Sequence, residues 1–303
     1  MILNYGFAEK STFSWVHSGR GFAHSMSLLT EASQCNKNDV FTARTDNVKN
    51  VSQLLKAIHF KDSAIVSISA NGLKVTVEDS KCVQANAFIQ ESIFQNFELH
   101  IETITFKVNL TVLLECLNIF GSGNLTGTAM EISYAGYGSP LVLLLEEGGV
   151  ITDCSIKTLE PDDLVDFDFS TANITNKLIM KSDSLKETWS DLDMTSDTLE
   201  IFISSSKPNF RLSTFGNLGT IHVDYPQDSD IMESFESNQT QVNRYKLSLL
   251  KPSVKALNLS SKISFRTDEN GFISMQYMIK TEDNHACFVE YFCAPDEDVE
   301  DQP

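Results

Sequence analysis

From Val40 to Asp46 apolar and polar residues alternate, as on a strand with one buried face. The period then changes: Val48, Val51, Leu54, Leu55 and Ile58 recur three and four apart, which predicts an amphipathic helix. Two strand-like runs flank Asn71-Gly72, a pair that tolerates positive φ and predicts a tight hairpin turn. Lys81 to Gln90 continues the sheet and Thr103 to Asn109 reads as a further strand. Leu110, Leu113, Leu114, Leu117 and Phe120 mark a second helix that stops at Gly121, and strands follow from Met130 to Lys157.

The same order returns. A helix is expected near Ser184 to Asp193, strands from Leu199 to Tyr225, a strand-helix unit from Arg244, then hairpins to Cys293. Phe106-Lys107-Val108-Asn109-Leu110 matches Tyr245-Lys246-Leu247-Ser248-Leu249 at an offset of 139, and Leu73-Lys74-Val75-Thr76 matches Phe210-Arg211-Leu212-Ser213 at an offset of 137. Near-constant offsets across separate elements predict a duplicated α+β domain, each copy with two helices packed on antiparallel sheets. The expected division is a disordered extension over residues 1–25 with Met26 as an alternative start, a first domain over 26–157, a linker over 158–170, a second domain over 171–295 and an acidic tail over 296–303.

Composition narrows the function classes. The chain has 303 residues, 42% hydrophobic and 21% charged, and no run approaches the roughly 20 apolar residues of a bilayer span. Six cysteines without a CxxC pair read as buried thiols of a reducing compartment. A net charge of -18 argues against a protein that coats nucleic acid with its whole surface, while leaving room for a local basic face. The sequons at Asn109 and Asn238 would matter only in a secreted protein, and no signal peptide is apparent.

Several segments resemble a known family. Tyr291-Phe292-Cys293-Ala294-Pro295 followed by acidic residues resembles the closing strand and tail of the sliding clamps typified by proliferating cell nuclear antigen. Leu55 to Phe60, Asn71 to Glu78, Lys81 to Gln90 and Arg211 to Asn217 resemble, more narrowly, the Rad-one type subunits of the nine-one-one checkpoint clamp. The resemblance covers about Met26 to Asp298 and implies the DNA clamp fold, a nuclear location and no cofactor. It also implies a heterotrimeric ring with Rad-nine and Hus-one type subunits, placed on duplex DNA with recessed ends by a clamp loader with a replication-factor-C-like core. In that setting the ring supports checkpoint kinase signalling and recruits repair enzymes; a homotrimeric replication-type clamp is the alternative.

A ring that tolerates a phosphate backbone needs a basic helix face. Lys49, Gln53 and Lys56 lie opposite the apolar stripe of the first helix, and Lys251 and Lys255 stand one turn apart on the last. By themselves these lysines read first as solvated helix faces, and only the resemblance assigns them to DNA. Thr111, Glu115 and Asn118 on the second helix and Glu187 and Asp191 on the third are not basic. The resemblance also places a client-peptide pocket beside the linker, with Leu159, Leu164, Val165 and Met278 as candidates.

It makes Val150, Thr152, Cys154 and Ile156 one subunit edge and Thr220, His222 and Asp224 the other. Gly148-Gly149 and Pro226 delimit these runs, and open strand edges invite association.

Some relatives of this kind have been credited with 3′ to 5′ exonuclease activity, which usually needs carboxylates converging on metal ions. Asp166 with Asp168, Asp191 with Asp193 and Glu146 with Glu147 are available, but 41 acidic residues make such pairs common by chance. No glycine-rich nucleotide loop, HExxH or GxSxG occurs, and the six histidines lack metal-ligand spacing. The expectation is a scaffold without a metal site.

Overall fold

β1 (Phe41–Thr45) buries Phe41 and Ala43 and passes through Asn47 into α1 (Val48–Ala57). Asn47 is extended and its side-chain oxygen accepts from the Lys49 N–H, one of the donors a helix start leaves open. The structure, a computed structural model, describes residues 39–121, 127–167, 169, 174–192, 195–217, 219–281 and 285–296. The extension expected over residues 1–25, and the acidic tail beyond Asp296, lie outside the described residues.

β2 (Ser63–Ser69) and β3 (Gly72–Asp79) form the hairpin expected around Asn71-Gly72. Gly72 has φ +123°, and a Cβ there would meet the Ile89 carbonyl oxygen at 2.2 Å, so no side chain fits. β4 (Val83–Gln90) follows, then β5 (Asn96–Leu99), which the sequence pattern did not predict, and β6 (Thr103–Asn109). Asn109 caps α2 (Leu110–Leu117) by accepting from the Val112 N–H at 2.9 Å, so this sequon asparagine is a helix cap. β7 (Ala129–Tyr134), β8 (Leu141–Glu147) and β9 (Val150–Ile156) complete the first half.

The second half runs β10 (Ile174–Lys181), α3 (Ser182–Asp191), β11 (Thr198–Ile203), β12 (Phe210–Gly216), β13 (Gly219–Tyr225), β14 (Met232–Ser237) and β15 (Gln241–Lys246). The last expected helix is broken. It comprises α4 (Leu247–Leu250), a 3-10 turn (Lys251–Ser253) and α5 (Val254–Leu259), because Pro252 lacks the N–H a continuous helix would use. β16 (Ser260–Asp268), β17 (Ile273–Lys280) and β18 (Ala286–Cys293) end it.

Three antiparallel sheets result: β5-β1-β7-β8-β9, β13-β12-β11-β15 and the nine-stranded β14-β10-β16-β17-β18-β4-β3-β2-β6. The pairings are duplicated. β1 lies between β5 and β7 as β10 lies between β14 and β16, and β2 lies between β3 and β6 as β11 lies between β12 and β15. Likewise β3 passes to β4 as β12 passes to β13, and β7-β8-β9 is repeated by β16-β17-β18. The nine-stranded sheet joins the two halves through β18 and β4, paired from Phe288↔Phe88 to Cys293↔Val83.

Aromatic pairs link each small sheet to the large one. Phe106 and Tyr134 have ring centroids 4.4 Å apart, and Phe210 and Phe265 5.1 Å apart.

Candidate functional site

The helices carrying the four singled-out lysines become neighbours, since α1 packs against both α2 and α5. Lys56 Nζ donates to Asn118 Oδ1 at 2.8 Å, just past α2, and Lys255 Nζ donates to the His59 carbonyl at 2.8 Å, just past α1. Lys49 is half-buried on α1, and Lys251 is exposed in the 3-10 turn, one element before Lys255 rather than on the same helix. His59, read from sequence as an isolated histidine, is built into this layer. Thr111 Oγ1 gives its proton to Asp62 Oδ1 at 2.7 Å and therefore accepts from His59 Nε2 at 2.9 Å. No local spacing announces this contact between residues 52 positions apart.

α3, the counterpart of α1 in the second half, carries more acidic residues than α1. α1 and α3 match residue for residue at an offset of 134: Val48, Val51, Leu54, Leu55 and Ile58 are buried, as are Ser182, Leu185, Thr188, Trp189 and Leu192. At two outward positions Lys49 and Gln53 become Asp183 and Glu187, and buried Ala57 becomes exposed Asp191. α4, the 3-10 turn and α5 together take the place of α2: the Leu247 N–H donates to the Asp197 carbonyl as the Leu110 N–H donates to the Asp62 carbonyl, so the two starts match at an offset of 137.

The linker crosses the outer face of the nine-stranded sheet and is pinned along it. Leu159 and Lys107 exchange two main-chain hydrogen bonds of 2.9 Å, and Lys107 Nζ reaches Asp162 at 2.5 Å. The Val165 N–H donates to Glu78 Oε2 at 3.0 Å, and Gln84 Nε2 donates to the Val165 carbonyl at 3.0 Å. Phe167 then stacks on Phe292 with centroids 5.4 Å apart. Leu159 is 52% exposed and Leu164 is also exposed.

The four expected pocket residues do not line one hollow. Met278 sits on β17, five strands from the β6 residue that holds Leu159, a separation of about 24 Å at ~4.8 Å per strand. Its neighbours across the sheet are Phe288 and then Phe88, all half-buried and facing away from the core that Tyr277, Val289 and Ala87 fill. Lys74 Nζ lies 5.9 Å from the Phe88 ring centroid. Phe88 and Phe288 were missed because a half-buried aromatic on a strand looks like core until the pleat assigns its face.

β9 and β13 are the outermost strands of their sheets and share one alternation of exposed and covered residues, ending in buried Ile156 and buried Tyr225. Which main-chain groups each edge offers follows from its hairpin. Glu147↔Val150 closes the β8–β9 turn and so exchanges both hydrogen bonds, and every second pair after it does the same. The main-chain groups of Val150, Thr152, Cys154 and Ile156 are therefore spent on β8, and the outward ladder belongs to Ile151, Asp153 and Ser155. This corrects the expectation for that edge. In β13 the closing pair is Gly216↔Gly219, which directs the main-chain groups of Thr220, His222 and Asp224 outward.

Arg211 meets Asp224 through Nε at 2.5 Å and Nη2 at 2.9 Å and holds that carboxyl below the usual carboxylate range, against a smaller opposing effect of burial. His222 Nδ1 is 2.8 Å from Ser213 Oγ. Tyr225 donates to Thr188 and ties β13 to α3.

The carboxylate pairs serve the fold where they are described. Glu146 Oε1 accepts from the Gly149 N–H at 2.8 Å and Glu147 Oε2 accepts from Thr128, while Asp168 and Asp193 lie outside the described residues. Among the described residues no three His, Cys, Asp or Glu side chains gather as a metal site, and no helix is long and apolar enough to cross a membrane.

Residues 40–279 match the family described as repair protein Rad1/Rec1/Rad17. The chain is 58% identical over 278 residues to the human cell cycle checkpoint protein RAD1, covering 90% of this chain and 98% of that one. It is 31% identical over 279 residues to the Schizosaccharomyces pombe DNA damage checkpoint control protein rad1, covering 84% and 86%. A more distant relative, the Mycosarcoma maydis DNA repair exonuclease REC1, is 25% identical over 57% of this chain and 49% of its own length. A match across most of the chain at this identity, on a fold of few helices and antiparallel sheets, places this protein in the Rad1/Rec1/Rad17 family of DNA damage checkpoint and repair proteins.

Proposed function

We propose that the chain is a non-catalytic arc of a three-subunit ring around DNA, made of two copies of one domain joined by the 158–170 linker. The observation that carries this is the β18–β4 pairing. Within the chain the last strand of one half pairs with the fourth sheet strand of the other, and the duplicated topology leaves one counterpart of each unpaired: β9, matching β18, and β13, matching β4. A neighbour of the same topology at each open edge would repeat the internal junction and propagate a head-to-tail ring.

The helix layer then lines the hole. Lys49, Lys56, Lys251 and Lys255 face the phosphates, which supply sequence-independent, salt-dependent binding. The outer face meets clients: the apolar row of Met278, Phe288 and Phe88 beside the pinned linker suits a peptide with aromatic anchors. The neighbours are subunits of the Rad-nine and Hus-one type, and a clamp loader places the ring on DNA with recessed ends in the nucleus. There it supports checkpoint kinase signalling and holds repair enzymes.

Co-expression with those two subunits, followed by mass measurement, tests the reading; a 1:1:1 complex is expected. A stable homotrimer of the chain alone would point to a replication-type clamp instead. The exonuclease named among the relatives supplies a second reading. A nuclease assay with carboxylate variants separates the two, because only a genuine active site loses activity when its carboxylates change.

A further inference from the structure

Cys154 stands opposite Leu143 in the β8–β9 ladder, and Leu143 is fully buried, so Cys154 points from the edge strand toward the core side of its sheet. α2 packs against β9 and ends in Cys116 and Leu117, of which Leu117 is buried. The two sulfurs meet between helix and strand in a thiol–thiol hydrogen bond. Both cysteines are half-buried, packed against the rim of the core rather than sealed inside it.

The other described cysteines are placed differently. Cys287 and Cys293 are fully buried. Cys82 adjoins Cys293 at the β18–β4 junction, but buried Val83 is the residue that pairs with Cys293, so Cys82 faces the opposite side of the sheet. Their sulfurs donate to separate carbonyls, Cys82 to Ser80 at 3.3 Å and Cys293 to Ala294 at 3.4 Å. Reversible two-electron oxidation needs a second thiol in contact and access from solvent, and Cys116 with Cys154 has both.

We propose that Cys116 and Cys154 are a peroxide-responsive dithiol, which on oxidation closes a disulfide that pins the end of α2 to the edge strand β9. Burial first, and Cys154 beside it, push the Cys116 thiol up to about 11, so Cys116 keeps its proton at neutral pH and the first attack belongs to Cys154. The Cys154 sulfur takes one oxygen of hydrogen peroxide; the O–O bond breaks, water leaves and a sulfenic acid remains. The Cys116 sulfur then attacks the sulfenic sulfur, the S–O bond breaks and a second water carries off the Cys116 proton. Two thiols are oxidised to one disulfide, and one peroxide is reduced to two waters. Cys116 is a poor leaving group for the reverse exchange, which makes the bridge persist until a strong reductant arrives. The bridge sits two residues before Asn118, the acceptor of the Lys56 bond, so it fixes the helix end that holds this lysine.

The test is brief treatment of the reduced full chain with hydrogen peroxide, then alkylation, digestion without reductant and mass mapping. Cys116 and Cys154 should lose their alkyl label together and appear as one linked pair of peptides, lighter by two hydrogens than the separate thiols. The cross-link spans β7 and β8 and restricts the unfolded chain, so the melting midpoint should rise by several degrees and return when a phosphine reductant is added. Phenylarsine oxide, which bridges adjacent thiols, should bind the reduced chain and fail to bind after peroxide. Cys154→Ser should lose the linked peptides, the midpoint shift and the arsenical binding, while circular dichroism checks that it folds. The inference is overturned if peroxide joins either residue to a different cysteine, stops at sulfinic acid on Cys154, or leaves both thiols free to alkylate. It stands or falls separately from the ring reading, since every measurement is made on the chain alone.

Discussion

The phenolic hydroxyl of Tyr291 donates to the main-chain carbonyl of Ala57 at 2.7 Å and so ties β18 to the end of α1 across 234 positions. Helix ends leave carbonyls that need a partner, and here the second half of the chain supplies it to the first. Tyr291→Phe keeps the ring, including its contact with Phe60 at 6.0 Å between centroids, and removes only the donor. It should lower the unfolding free energy by about 1–3 kcal/mol, the usual penalty for a buried acceptor left unpaired. Urea unfolding should show a lower midpoint with an unchanged slope; an unmoved midpoint would mean that the bond contributes nothing.

Reversal of Lys49, Lys56, Lys251 and Lys255 to Glu should release the assembled ring from duplex DNA. Each phosphate that is no longer neutralised by a lysine should flatten the log–log salt dependence by about 0.9. Stability should fall only modestly. Lys56 and Lys255 make single hydrogen bonds near the surface, and exposed charges contribute ~0–1 kcal/mol each. DNA retention and salt slope both unchanged in the reversed ring would remove these residues from the DNA face.

Much of this arrangement was legible in the sequence, because it is local. The stripe from Val48 to Ile58 carried α1, and the Asn71-Gly72 turn carried a hairpin. What was not legible depends on pairings distant in the chain. β5 is a short, half-covered strand whose identity rests on Phe97 and Leu99 lying against β1. The β18–β4 junction joins residues some two hundred positions apart, and only the topology reveals it. The outward ladder of β9 was misread because side-chain alternation shows which residues face the core, whereas the hairpin's closing pair decides which N–H groups face out.

Burial pushes the Cys287 thiol up to about 11 and the Cys293 thiol up to about 12, in the latter case with help from Cys82 and Asp296 nearby. In the unfolded chain both would ionise near pH 8.5. The folded state therefore holds its protons to higher pH, and the unfolded state gains as pH rises. Stability should be level below about pH 8.5 and fall through pH 9 to 11, most visibly in urea midpoints. At pH 8 these two thiols should resist a water-soluble alkylating reagent in the native protein and react on unfolding, as mass mapping would show. Rapid native labelling of Cys287 or Cys293 would contradict their burial.

Proline scanning of the two open edges should separate the contacts that build this chain from those that join it to neighbours. His222 directs its N–H outward from β13, so His222→Pro should leave the β12–β13 ladder intact and abolish one junction of the ring while sparing the other. On β9 the corresponding residue is Asp153, whose non-hydrogen-bonded pair with Leu144 leaves its N–H facing away from β8. Asp153→Pro should abolish the opposite junction. Thr152→Pro acts differently: Thr152 is spent on Leu145 of β8, so proline there removes a bond inside the chain. It should lower the melting temperature of the isolated monomer, which the other two should barely change. Pairwise pull-downs with each partner subunit, read beside the three melting curves, give the check. If Thr152→Pro left the monomer intact while Asp153→Pro unfolded it, the register assigned to this edge would be off by one residue.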